Sequence, residues 1–228
     1  MADALQSLSK EYGPVVRNSD LMAFLSSYMA IVSLNEIVTA FAVLRITQPD
    51  ELAAPMTIFA AAASMSSIAA FGAVLVVGAV LDRFMTLQHV MVCIVAIKAC
   101  AIATIGLTES PTVACVAYVV HRAVSHSANA PMSMWIARAV RARVASIKDH
   151  PEPLALGAPQ SVIEMTAAAF VMNKVIGSVL KVCADGVLAV LVSHISLQTL
   201  FLLCALLLVP AGGRLAMLRA PVDDSGGV

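Results

Sequence analysis

Five charged side chains stand in the middle of long apolar runs: Glu36, Lys98, Arg122, Glu164 and Lys174. A charge at the centre of a bilayer costs roughly 2.5–3.5 kcal/mol on insertion scales, so each of the five needs a partner, a cavity or a function. Within the run 112–136, Tyr118, Arg122, Ser125, His126, Asn129 and Ser133 recur at steps of three and four. That spacing gathers them on one stripe of a helix and leaves the opposite face fit for lipid. Asn35, Glu36 and Thr39 mark one side of an earlier run in the same way, and Asn173 and Lys174 lie near mid-depth of a later one. Two arrangements suit these residues. They can line a polar path that binds a solute or a proton, with Glu36 as the titratable carboxylate. Equally, Glu36 and Glu164 can serve as counter-ions to Lys98, Arg122 or Lys174 inside a packed bundle.

Other reactive residue types form no constellation. His121 and His126 are five positions apart and diverge by about 140° on a helix, a poor geometry for sharing a metal. His194, in the expected sixth run, reads as a bundle histidine satisfied by its neighbours. Cys93, Cys100, Cys115, Cys183 and Cys204 all fall in apolar runs without paired spacing, as small core residues do. The chain has no glycine-rich phosphate loop and no nucleophile elbow. Neither a metal, a cofactor nor enzymatic catalysis is expected.

The elements that must position these charges follow from composition. Of 228 residues, 60% are hydrophobic and 12% charged, with a mean hydropathy of +0.91. A soluble domain runs nearer half apolar and a quarter charged. This balance excludes a nucleic-acid binder, a disordered chain and an ordinary cytosolic enzyme, and it points to the lipid bilayer as the first partner. Crossing a core of about 30 Å takes about 20 mostly apolar residues. Polar and Pro/Gly punctuation divides the chain into six such stretches, at about 21–44, 56–81, 90–107, 112–136, 154–182 and 187–209. Pro131 should kink the fourth. The expected fold is an all-α membrane protein of six transmembrane helices: a polar N-terminal segment 1–20, a bundle 21–210 and a polar tail 211–228.

Loop charges test this division, because cytoplasmic-side loops are enriched in Lys and Arg. With the N-terminus inside, the inner segments hold Lys10, Arg17, Arg83, Arg138, Arg141, Arg143, Lys148, Arg214 and Arg219; the outer loops hold Arg45 and Lys181. The asymmetry predicts an even number of crossings with both termini on the positive side, cytoplasm or matrix. The first 20 residues have no apolar core followed by a small-residue cleavage site, so they do not read as a secretory signal. The Ala/Ser/Gly-rich second run reads as a close-packing surface.

At the end of that second run stands Gly78-Ala79-Val80-Leu81-Asp82-Arg83. It resembles the start of the loop motif G-x-x-x-D-R-x-G-R-R of the major facilitator superfamily, which joins helices two and three of each six-helix half. A basic stretch after the fourth run, the Ile176-Gly177-Ser178 turn of the fifth and the Pro-terminated sixth agree in order, so the resemblance covers about residues 20–220. After Arg83, however, the chain reads Phe84-Met85-Thr86-Leu87 where the family places a glycine and two basic residues. The chain also supplies one half where family carriers have two, with substrate between them. The resemblance therefore implies half of a carrier fold that pairs with other membrane subunits or with a second copy of itself. The first reading is an accessory, non-catalytic, transporter-derived subunit of a multi-subunit membrane complex, such as a mitochondrial respiratory or ATP synthase assembly in the inner membrane. The second is a secondary transporter of a small, anionic solute, built as a dimer of halves in the inner mitochondrial or plasma membrane.

Overall fold

The computed structural model describes residues 19–83, 86–149, 162–191 and 194–218. Among them every regular element is an α-helix: α1 (Ser19–Thr47), α2 (Met56–Arg83), α3 (Leu87–Leu107), α4 (Pro111–Ser127), α5 (Asn129–Asp149), α6 (Val162–Leu191) and α7 (Leu197–Met217). Where a backbone cannot bond to water, a helix satisfies its polar groups within one segment, so long apolar runs become helices. Their ends are set by side chains that replace missing backbone partners. Thr86, Ser110 and Ser196 cap α3, α4 and α7 by accepting from the amides of His89, Val113 and Thr199, and Pro111 opens α4, where its missing N–H costs nothing. Among the described residues five segments are long and apolar enough to cross a membrane: Ser19–Thr47, Met56–Leu81, Leu87–Leu107, Thr166–Cys183 and Leu197–Met217.

The remaining stretch differs from a single span at 112–136. It is divided at Ala128 into α4 and α5. Pro131 has no N–H to give the Ser127 carbonyl four residues back, and its ring crowds that carbonyl, so the helix breaks there. Past the break, α5 does not stop near Ile136 but runs to Asp149. Arg138, Arg141, Arg143 and Lys148 thus stand on a helix rather than in a loop. The Phe24 ring of α1 stacks on Trp135 of α5, with centroids 4.0 Å apart and planes 5° off parallel, which fixes α5 against α1 beyond the bend.

The last two spans are also displaced from expectation. The fifth run begins, at 154–161, outside the described residues. α6 then continues through Asp185-Gly186 to Leu191, and α7 starts at Leu197 rather than Val187. A single Asp-Gly step is too weak a break for an otherwise apolar helix, whereas the Ser196 cap is a true start. His194 accordingly lies exposed in the turn before α7, not inside a span. At its other end α7 runs through Pro210, Gly212 and Gly213 to Met217, past the expected end of the bundle at 210. Leu215 is buried, and a Cβ on Gly212 would meet Val95 Cγ1 at 2.8 Å, so contact with α3 holds the helix together there. The N-terminal segment 1–18 and the tail beyond 218 lie outside the described residues.

Packing follows a regular scheme. α1 packs on α6 and α7, α4 packs on α2 and α3, and α3 packs along α7. Exchanging α1 with α4, α2 with α6 and α3 with α7 maps this set of pairs onto itself. The core runs between these helices, with Phe24, Leu25, Ile102, Ile105, Phe201 and Leu208 fully buried. The α3–α7 crossing is close: a Cβ on Gly106 would meet Phe201 Cβ at 3.0 Å and the Gln198 carbonyl at 3.3 Å. By contrast Ile68, Phe71 and Leu75 on α2, and Val175 and Val179 on α6, are exposed, as suits a lipid-facing surface.

Arg45, expected in an outer loop as a topology charge, instead lies in the last turn of α1 with 8% of its surface exposed. Its guanidinium donates from Nε to the Ile105 carbonyl at 3.4 Å, and from Nη2 to the carbonyls of Gly106 at 3.1 Å and Thr108 at 3.2 Å. Nη1 pairs with Glu51. The last carbonyls of α3 have no helical partners of their own, and a cation there also meets the negative end of the helix dipole.

Candidate functional site

The polar residues of the spans converge where α1 passes the α4–α5 bend. Asn35 and Glu36 stand eleven to twelve residues before the end of α1, about 16–18 Å along the helix, so they lie deep in the span. Lys98 sits at the middle of α3 and Arg122 in the second half of α4. Between them lies a partly enclosed cavity of about 170 Å³, lined by Asn35, Glu36, Lys98, Arg122, Ser125 and His126, with Tyr28 and Asn129 at its lower edge. Tyr28, Glu36 and Asn129 also border a second lobe of about 310 Å³, open towards α6, where Asn173, Lys174, Ser178 and Lys181 complete the wall.

The walls are tied by hydrogen bonds between helices. Tyr28 donates its hydroxyl to Asn129 Oδ1 at 3.1 Å, joining α1 to the first residue after the break. The Ser125 hydroxyl lies 2.7 Å from Asn35 Oδ1 and 2.6 Å from the His121 carbonyl, and its one proton serves either acceptor. Arg122 Nη1 donates to Thr39 Oγ1 at 3.5 Å, and Thr39 in turn donates to the Asn35 carbonyl at 2.8 Å. Thr39 thus steers the guanidinium along α1.

Several charged and polar atoms keep no partner. Lys98 is 2% exposed, and among the described residues no carboxylate lies within 4 Å of it and no acceptor bonds it. Arg122 Nε is buried without an acceptor, as are both ring nitrogens of the fully buried His121. His121 lies within electrostatic reach of both Lys98 and Arg122. Glu36 is exposed and borders the same cavity as Lys98 and Arg122, and among the described residues no ion pair within 4 Å joins it to Lys98, Arg122 or Lys174. Glu164 belongs to α6, and its side chain lies outside the described residues. On α6, Asn173 is buried with Oδ1 unpartnered while Lys174 is exposed.

Of the residues singled out by sequence, Asn35, Glu36, Lys98, Arg122, His126 and Asn129 meet in the first lobe, and Asn173 and Lys174 in the second. The fourth-run stripe is not continuous. Tyr118 turns to α2 and packs at 44° to Phe59 with centroids 5.1 Å apart, and Ser133 bonds back to the Asn129 carbonyl. Tyr28 was missing from the expected set, although it precedes Asn35 by seven residues and so shares its helix face. Lys181, expected in an outer loop, borders the second lobe from α6. Gly78, Asp82 and Arg83 close α2, with Arg83 exposed and the Asp82 side chain outside the described residues.

Comparison with protein-family models, with curated proteins and with solved structures returns no match for this chain.

Proposed function

We propose that this chain is a six-span half of a major-facilitator-like fold that works only in association with further membrane chains, as an accessory, non-catalytic subunit of a multi-subunit membrane complex. In this reading α4 and α5 together form the fourth span, both termini lie on the positive side, and a mitochondrial inner-membrane assembly is the type of host envisaged. The observation that carries it is the open polar face. Glu36, His126, Asn129 and Lys174 are all exposed where α1, the α4–α5 bend and α6 meet, and no other described helix covers them. Hydrocarbon cannot satisfy such groups, so water held by a second protein surface must.

Two features support the carrier ancestry. The exchange of α1, α2 and α3 with α4, α6 and α7 is the kind of pairing that two nested three-helix repeats of a carrier half would give. The retained Asp82-Arg83 without the following Gly and basic pair suits a half that no longer cycles between gates. A second reading, a solute carrier formed by two halves, is favoured by Lys98 and Arg122, which a purely structural subunit would be expected to pair with carboxylates.

Mild solubilisation from the native membrane, followed by mass measurement of the intact species, tests the proposal. Stoichiometric co-purification of other membrane chains is the expected result, and a pure two-copy particle favours the carrier. A monodisperse single chain, stable in detergent without company, overturns the need for a covering partner.

A further inference from the structure

We propose that the cavity between α1, α3 and α4 is a binding site for a small oxyanion, a phosphate or a short carboxylate, held chiefly by Lys98 and Arg122. This inference rests on the reading of these helices as membrane-spanning, and not on what covers the open face.

The geometry carries it in three steps. First, a buried ammonium is expensive without a partner, and Lys98, 2% exposed on the cavity wall, has no carboxylate within 4 Å and no hydrogen bond among the described residues. Second, Lys98 is not alone: Arg122 borders the same cavity with its Nε buried and free. Two cations that face one cavity reinforce each other's need for an anion. Third, the space is of the right kind. A volume of about 170 Å³ holds a handful of waters or one oxyanion, and Asn35 and Ser125 supply neutral polar groups beside it. Glu36 stands on the same wall and opposes an anion, so its carboxylate limits affinity and permits release. Lys174 and Lys181 on the second lobe extend the positive lining towards the open side and give an anion a route in.

The same phosphate chemistry arrives either as a free solute or as a lipid head group, and the experiment separates the two. Full-length protein is purified in a neutral detergent with zwitterionic lipid. Thermal unfolding is followed against inorganic phosphate, against succinate, and against phosphatidylglycerol vesicles, with chloride at matched ionic strength as the reference. Phosphate or succinate should raise the midpoint by several degrees in a saturable manner, as ligand linkage requires. Lys98→Gln and Arg122→Gln should each weaken the apparent affinity tenfold or more, Lys98→Arg should retain it within a few-fold, and Glu36→Gln should tighten it two- to fivefold. A response confined to phosphatidylglycerol, and lost in Lys98→Gln, assigns the site to a head group. The proposal is overturned if no probe stabilises the protein, or if wild type and Lys98→Gln respond alike. Should Lys98→Gln yield no folded protein, the exposed Glu36→Gln decides, because unchanged affinity there also overturns the site. Light scattering on the same samples reports association. A lone chain with an intact anion response would defeat the partner reading and leave this one standing.

Discussion

Arg45 and the pair Lys98/Arg122 are cations in the same bundle, yet they stand in opposite circumstances. Arg45 reaches three carbonyls at the end of α3 and one carboxylate, so most of its donors are satisfied within the chain. Lys98, about two turns deeper on α3 and more thoroughly buried, has no hydrogen bond or ion pair among the described residues. A guanidinium fork fits several fixed carbonyls at once, whereas an ammonium is a point charge that a single mobile anion can match. The contrast separates a charge that builds the fold from charges that no carboxylate among the described residues pairs with.

The largest expected effect bears on the satisfied side. Arg45→Met should destabilise the protein by about 3–5 kcal/mol, because it strands Glu51 and the three carbonyls together. Chemical unfolding in mixed micelles measures this, and a loss below about 1 kcal/mol would show that the clamp is ornamental. Gly106→Leu comes next, at about 1–3 kcal/mol, since the new side chain must displace the α7 backbone at Gln198 as well as Phe201. The same assay on Gly213→Ala, inside α7 with a Cβ that meets nothing within 4 Å, should register a gain of about 0.5–1 kcal/mol and so sharpens the comparison. Ser196→Ala, at the start of α7 beside the same α3–α7 crossing, should cost about 1 kcal/mol through the lost cap and leave any anion response untouched.

How much of this was legible in the sequence differs between the two regions. The first three spans could be read within a few residues because each apolar run ends at polar or Pro-rich punctuation, such as Pro49-Asp50-Glu51 after α1 and Glu109-Ser110-Pro111 after α3. The α6–α7 border could not, because hydropathy dips at Asp185-Gly186 while the chain turns at Ser196, whose cap is a local hydrogen bond and not a change in polarity. The cavity was partly legible: helical periodicity placed Arg122, Ser125, His126 and Asn129 on one face, and Asn35 with Glu36 on another. That these faces meet Lys98 depends on how α1, α3 and α4 pack, which no single helix encodes. Arg45 was misread for the same reason, since the carbonyls it bonds lie about 60 positions further along the chain. Positions without a tertiary partner obey local rules; positions that answer to a distant backbone do not.

Lys98→Met, unfolded beside wild type in anion-free buffer, tests the central claim most directly. If Lys98 is an uncompensated charge awaiting an anion, its removal should stabilise the anion-free protein, by about 1 kcal/mol or more, the reverse of Arg45→Met. A destabilisation of Lys98→Met comparable to that of Arg45→Met would mean that the ammonium already has its partner within the fold, and would contradict the account.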